Sequence, residues 1–186
     1  KNYTAFKDEV IFERIVRLKQ IRDRYESFEK NKIIQIMSQL RHHLINMDEI
    51  DKICKQINEH ERFIAYGSPT LLNLLFDFQV DMKIFDKTVL LSSVNNGKIL
   101  VPKNNDLIGL FTATGRLLGC CDAKFQEVVL DTKNTKILFS KSQINSEYID
   151  FSFSMDTDND YYEMHYVFLF LFDLIKTRYY ELYIKE

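Results

Sequence analysis

The chain has 186 residues, of which 46% are hydrophobic, including 15 Phe and 10 Tyr; this suffices for one sizeable core and argues against a disordered chain. With 25 Lys and Arg against 27 Asp and Glu, the net charge is −2, which excludes a general electrostatic pull toward nucleic acid or anionic membranes. Three cysteines, two of them adjacent at Cys120 and Cys121, exclude a disulfide framework and point to a reducing compartment.

Residues 6–47 carry a helical pattern: Val10, Ile11, Ile15, Leu18, Ile21, Tyr25 and Phe28, then Ile33, Ile36, Met37, Leu40 and Leu44. Spacings of three and four dominate, with neither Gly nor Pro to interrupt, and the heptad slips near Lys30-Asn31-Lys32, where a kink is expected. Acids and bases interleave from Glu13 to Lys30, which reads as a solvated helix face; a basic face for nucleic acid is the sharper alternative. Asn46-Met47-Asp48 offers a capping signal for a second helix through Ile50, Ile53, Cys54, Ile57, Phe63 and Ile64.

That second helix is expected to end at Gly67, where a left-handed exit residue is wanted. Ser68 then serves as N-cap and Pro69 as the first residue of a third helix running to about Phe85. A phosphate-binding turn at Gly67-Ser68 is the alternative. It lacks the second glycine and the lysine of a P-loop. Short connections make antiparallel neighbours, so residues 1–86 are expected to form a helical hairpin layer.

In residues 87–155, Asn96-Gly97 between VLLSSV and KILV signals a β-hairpin. Asp106 is placed as the cap of a helix through Leu107, Leu110, Phe111, Thr114, Leu117, Leu118, Cys121 and Phe125, weakened by Gly109, Gly115 and Gly119. Val128 to Leu130 and Ile137 to Phe139 flank a polar turn, and Ile149, Phe151 and Phe153 alternate with polar residues. This leaves room for a small sheet. Residues 156–186 form a final aromatic-rich helix from Tyr161 to about Ile184, with Asp173, Lys176 and Arg178 on its wetter side. Its longest apolar run, Tyr166 to Phe172, is too short to span a bilayer. The first residue is Lys1 rather than Met, as in a trimmed or processed product, so a preceding anchor is kept open.

The phrase INEHERFIAYGSPTLLNLLFDFQ resembles a helix–corner–helix segment of uncharacterised bacterial proteins, in which a helix ends in a Tyr/Leu-Gly/Ala-Ser-Pro/Asp turn and the next begins with apolar pairs. Arg24-Tyr25-Glu26 with Phe28 looks like the start of the first helix of that hairpin. In that group the helices often follow a transmembrane anchor. The resemblance implies a cytoplasmic chain, or the soluble part of an anchored one, and transfers no catalytic residue.

Few side chains have spacing suited to chemistry. Adjacent His42 and His43 point about 100° apart on a helix and cannot chelate as an i,i+4 pair. Cys54 and His60 share no stripe, and Cys120-Cys121 lacks the spacing of zinc or redox pairs. Asp156-Thr157-Asp158-Asn159-Asp160 resembles the start of a calcium loop, but Tyr161 replaces the glycine and Val167 the bidentate Glu. No metal, cofactor or catalytic residue is therefore expected. The reading is a mainly α, antiparallel helical bundle in a single domain, with a small β-hairpin or sheet in residues 88–154, and α+β as the alternative. Its expected role is a non-enzymatic interaction or assembly domain that meets a protein partner or itself. One alternative is a nucleic-acid-associated protein using Arg14, Arg17, Arg22, Arg24 and Arg41; another is an enzyme with a site assembled in the second half, near Cys120 and Asp122.

Overall fold

The computed structural model of the protein describes residues 46–94, 98–119, 121–154 and 163–185, without the side chains of residues 163, 164 and 166. All belong to one compact unit, His42–Glu186. Helix α1 (Met47–Glu59) precedes strand β1 (Arg62–Gly67). A helical run follows as α2 (Pro69–Leu72), a 3₁₀ turn (Asn73–Leu75) and α3 (Phe76–Ile84), leading to β2 (Thr88–Ser93). Strand β3 (Asp106–Thr112) is followed by short α4 (Arg116–Gly119), α5 (Ala123–Phe125) and a π turn (Gln126–Leu130). Then come β4 (Lys136–Ser140), β5 (Phe151–Ser154) and the long α6 (Glu163–Tyr183).

The five strands form one parallel sheet in the order β2-β1-β3-β4-β5. This overturns the helical-bundle expectation. The central error falls on Arg62–Gly67, read as a helix end and found as a strand flanked on both sides. A central parallel strand is buried on both faces, so its apolar residues run together and lose the period-two signature. Phe63, Ile64, Ala65 and Tyr66 are such a run, and all four are at most 3% exposed. Leu107 to Phe111 repeats the pattern in β3, where a helix was expected. The expected hairpin is also absent from the described residues: β2 pairs with β1, and residues 98–101 form no strand.

Other expectations match. Ser68 caps α2 by accepting from the Leu71 N–H at 3.4 Å, with Pro69 in the first turn. The last helix stands close to its expected span, and the second begins where expected but ends at Glu59 instead of running on to Gly67. Residues 1–45, and with them the first helix of the supposed hairpin, lie outside the described residues, as do Asn96-Gly97.

Successive residues of each strand point to opposite faces. On one face, Ile64 and Tyr66 of β1, Ile108 and Leu110 of β3 and Leu138 of β4 pack with Phe125, Val129 and Leu130. The other face is aromatic. Phe111 and Phe139 stack with ring centroids 4.6 Å apart and 2° between their planes; Phe63 meets Phe78 of α3, and Phe172 of α6 touches Phe78, Phe111 and Phe139. Gly109 lies beneath these rings. A Cβ there would stand 2.5 Å from Cζ of Phe63 and 2.9 Å from Phe111.

Two ion pairs secure the helices on the aromatic face. Arg178 of α6 donates to both carboxylate oxygens of Asp51 in α1 at 2.7 and 3.0 Å, and Lys176 donates to Asp81 in α3 at 2.7 Å. A third pair lies at the amino edge of the sheet, where Arg62 binds both oxygens of Asp106 at 2.8 and 2.5 Å. Asp106 also accepts from the Lys103 N–H at 2.6 Å. Burial works to raise the Asp106 pKa, but the Arg62 and Lys103 bonds outweigh it and hold the carboxyl below the usual range. No helix among the described residues is long and apolar enough to cross a membrane.

Two stability predictions follow from this packing. Gly109→Ala should cost about 1–3 kcal/mol through overpacking and lower Tm by several degrees; an unchanged melt would show that the rings can give way. Asp106→Asn should destabilise by roughly 3 kcal/mol by leaving Arg62 unpaired at the sheet edge. Because the folded Asp106 pKa lies below its unfolded value of about 3.9, its contribution is present above that value and fades as pH falls through the folded one. Urea melts near pH 7 and near pH 3 should therefore show the gap between wild type and variant shrinking in acid.

Candidate functional site

All five strands run the same way, so all their carboxyl ends meet at one edge. The chain leaves β1 through α2 and α3 toward the aromatic face, where Phe78 meets Phe63. It leaves β3 through α4 and α5 toward the other face, where Phe125 meets Tyr66. Adjacent strands whose exits part to opposite faces open a crevice between them, and in open α/β sheets that crevice is the usual ligand site.

Two loops border the crevice. The β1 exit is Gly67-Ser68-Pro69-Thr70, and the β3 exit is Thr112-Ala113-Thr114-Gly115-Arg116. Gly67 allows the two strands to close up, since a Cβ there would lie 3.0 Å from the Phe111 carbonyl oxygen and 3.1 Å from its Cβ. Gly115 turns the β3 loop with φ +75°, a left-handed conformation that favours glycine. Its missing side chain also leaves room for Ile144, 2.6 Å from where a Cβ would be. The turn closes with the Leu118 N–H donating to the Gly115 carbonyl at 3.0 Å.

The outer exits are tied to this pair. The Val94 N–H donates to the Gly67 carbonyl at 3.2 Å, and the Lys141 N–H to the Ala113 carbonyl at 3.3 Å. Two rim hydroxyls are committed internally: Ser92 accepts from the Leu100 N–H at 3.0 Å, and Ser140 donates to the Ser142 carbonyl at 2.7 Å. Thr114 and Arg116 are exposed, and their side chains make no hydrogen bond or ion pair among the described residues. Across residues 67–70, 92–94, 112–117 and 140–143 the charged side chains are Arg116 and Lys141, with no Asp, Glu or His. Among the described residues these exits thus carry basic side chains and hydroxyls, whereas the amino edge holds the neutralised Arg62–Asp106 pair. Hydroxyls, turn N–H groups and a guanidinium together suit a small oxyanion.

Few residues singled out from sequence reach this place. Arg14, Arg17, Arg22, Arg24, Arg41, His42, His43, Cys120 and the run Asp156 to Asp160 lie outside the described residues. Asp122 is a structural cap, accepting from the Phe125 N–H at 2.7 Å. Cys54 is buried in α1 with its thiol on the Ile175 carbonyl, and burial pushes its pKa up to about 12, so it is no nucleophile. His60 is held by the Gln56 carbonyl at 2.7 Å. No group of three or more His, Cys, Asp and Glu among the described residues could hold a metal. A cavity of about 240 Å³ lies away from the crevice, between α1 and β5, lined by Glu49, Lys52, Gln56, Asp150 and Phe151 among others.

Sequence reasoning missed the crevice because Gly67-Ser68 was weighed against a P-loop alone. The available signal was the repetition: FIAY-Gly67-Ser68 and LIGLF-Thr112-Ala113-Thr114-Gly115 are two apolar runs, each ending in hydroxyls and glycine before a helical turn.

No family model matches the chain, and no curated protein sequence does. Solved structures do match. A Methanococcus jannaschii protein, whose structure was taken to infer a function as 3-hexulose-6-phosphate isomerase, superposes with a TM-score of 0.65 at 14% identity, covering 82% of this chain and 89% of that one. An E. coli CFT073 protein in complex with A5P gives 0.59 at 12% identity, over 83% and 93% of the two chains. The Vibrio vulnificus NanR protein complexed with ManNAc-6P gives 0.61 at 10% identity, over 91% and 66%. These superpositions overturn the reading of a helical assembly domain, since what they match is a chain built on a five-stranded parallel sheet. At such identities the likeness carries the fold and nothing further: the chain has the α/β fold of the phosphosugar isomerases.

Proposed function

We propose that this domain binds a phosphorylated sugar, with the phosphate seated between the β1 and β3 exits. The observation that carries the reading is the meeting of two hydroxyl- and glycine-bearing loops at one switch point, on an edge whose described charges are Arg116 and Lys141. A phosphate monoester is nearly a dianion at neutral pH and brings three strong acceptor oxygens. The Thr114 hydroxyl, the N–H groups of the Gly115 turn and the Arg116 guanidinium supply donors of matching kind. The structural neighbours that carry A5P and ManNAc-6P support the ligand class.

Binding without turnover is the better-supported form of this reading. Exchange between an aldose and a ketose moves a proton between neighbouring carbons, which calls for an acid–base group within reach of the sugar. The described rim residues offer none. A phosphorylated metabolite as ligand, together with the reduced thiol of buried Cys54, suits the cytoplasm.

Calorimetry with A5P and ManNAc-6P should show binding that their unphosphorylated counterparts lack. Thr114→Val and Arg116→Gln should each weaken it about tenfold, the loss of one charge-assisted hydrogen bond, with unchanged melting curves. Equal affinity for phosphorylated and plain sugars would sink the reading. Proton NMR in D₂O should show no solvent deuterium entering the sugar; incorporation would instead establish the isomerase.

A further inference from the structure

Gly115 stands at the centre of the β3 exit turn, between Thr114 and Arg116, with φ +75°. Glycine takes positive and negative φ about equally readily, so this residue permits the turn without holding it there. One hold is internal, the bond from the Leu118 N–H to the Gly115 carbonyl. A second comes from another part of the chain. Residues 141–150 join β4 to β5, and parallel neighbours are ordinarily joined by a crossover of about a dozen residues or more, usually a helix. This crossover has ten residues and forms no helix.

The crossover lies on the face of Phe125 and Val129, with Ile144, Tyr148 and Ile149 packed against that core and Asn145 and Glu147 exposed. Both of its ends are fastened. At the amino edge the Asp150 N–H donates to the Lys136 carbonyl at 3.1 Å, and the Lys136 N–H donates to the Asp150 carboxylate at 2.8 Å. At the carboxyl edge the Lys141 N–H donates to the Ala113 carbonyl, two residues before Gly115. Ile144 then takes the space that a Gly115 Cβ would need. Apart from the glycine's chain neighbours, no other described residue comes within 4 Å of that position.

We infer that Ile144 is a positioning residue for ligand binding. Its side chain meets Gly115 from the β4–β5 crossover and keeps the turn in the form that presents its N–H groups, Thr114 and Arg116 to a phosphate. The inference rests on the phosphosugar reading of the crevice. Donors grip a small ligand well only when held to within about half an ångström, which needs packing behind them. A β-branched side chain suits that task, because its χ1 is confined to few rotamers.

The test compares Ile144→Ala with Ile149→Ala in the full chain. Both remove apolar atoms from the same crossover and the same core, so both should lower Tm. In calorimetry with A5P and ManNAc-6P, however, only Ile144→Ala should weaken binding, by about tenfold. Ile144→Val keeps the branch and should retain most of the affinity. Amide hydrogen exchange gives a readout without ligand: Leu118 should exchange faster in Ile144→Ala and at the wild-type rate in Ile149→Ala. Wild-type affinity in Ile144→Ala, equal losses in the two alanine variants, or an unchanged Leu118 rate would each overturn the inference while leaving the crevice reading intact. A wild type that binds neither sugar phosphate is the separate result that removes the crevice reading, and the ligand role of Ile144 with it.

Discussion

The fold depends on a missing side chain beneath a wall of rings. Gly109 sits in the middle of β3, with Phe63 and Phe111 close enough that any Cβ would collide with both. That vacancy lets Phe63 turn edge-on toward Phe111, and Phe111 in turn stacks flat on Phe139 of β4. Three neighbouring strands are thereby covered by one aromatic layer, and Phe168 and Phe172 of α6 complete it from above. Parallel stacking at 4.6 Å and edge contacts of this kind add to the area term of aromatic burial. They also fix which residues of β1, β3 and β4 face α6, and so fix the strand register.

Register has a consequence at each edge of the sheet. At the amino edge it brings Arg62 opposite Asp106, and the pair satisfies two charges where the strands begin. Asn134 reinforces this edge by donating to the carbonyls of Lys103 and Asp106 at 2.7 and 2.9 Å. At the carboxyl edge the same register leaves Gly67 level with Phe111 and places the two exits side by side. One edge holds matched charge, and at the other the described residues of the β1 and β3 exits carry hydroxyls and Arg116.

The helices of the aromatic face are held by long-range ion pairs as well as rings. Asp51 with Arg178 and Asp81 with Lys176 join α1 and α3 to α6, and the Tyr179 hydroxyl donates to Asn58 at 3.0 Å. These contacts occupy the inner and lateral sides of α3. Of the residues of α6 that sequence reading assigned to the wet side, Lys176 and Arg178 are therefore tertiary fasteners, whereas Asp173 pairs with Lys176 within the helix. A charged residue on a helix surface becomes one only when a neighbouring helix supplies its counterion.

Local chemistry decided what the sequence could reveal. The Ser68 cap with Pro69 behind it, the start of a helix near Met47 and the long aromatic α6 all rest on contacts within a few residues, so each was legible before any coordinates. The strand β5 was half-legible, because Phe151 and Phe153 alternate with serines at the sheet's edge. Strands β1 and β3 were not. Burial on both faces removes the alternation that marks a strand, and a short apolar run then reads equally well as a helix. The crevice was beyond reach for a related reason. Gly67-Ser68 and Thr112–Gly115 lie more than forty residues apart in the chain, and only the placing of β3 beside β1 makes them one site. The residues themselves set caps, composition and helix faces; strand order, which is settled by packing across the whole sheet, decided where a ligand can sit.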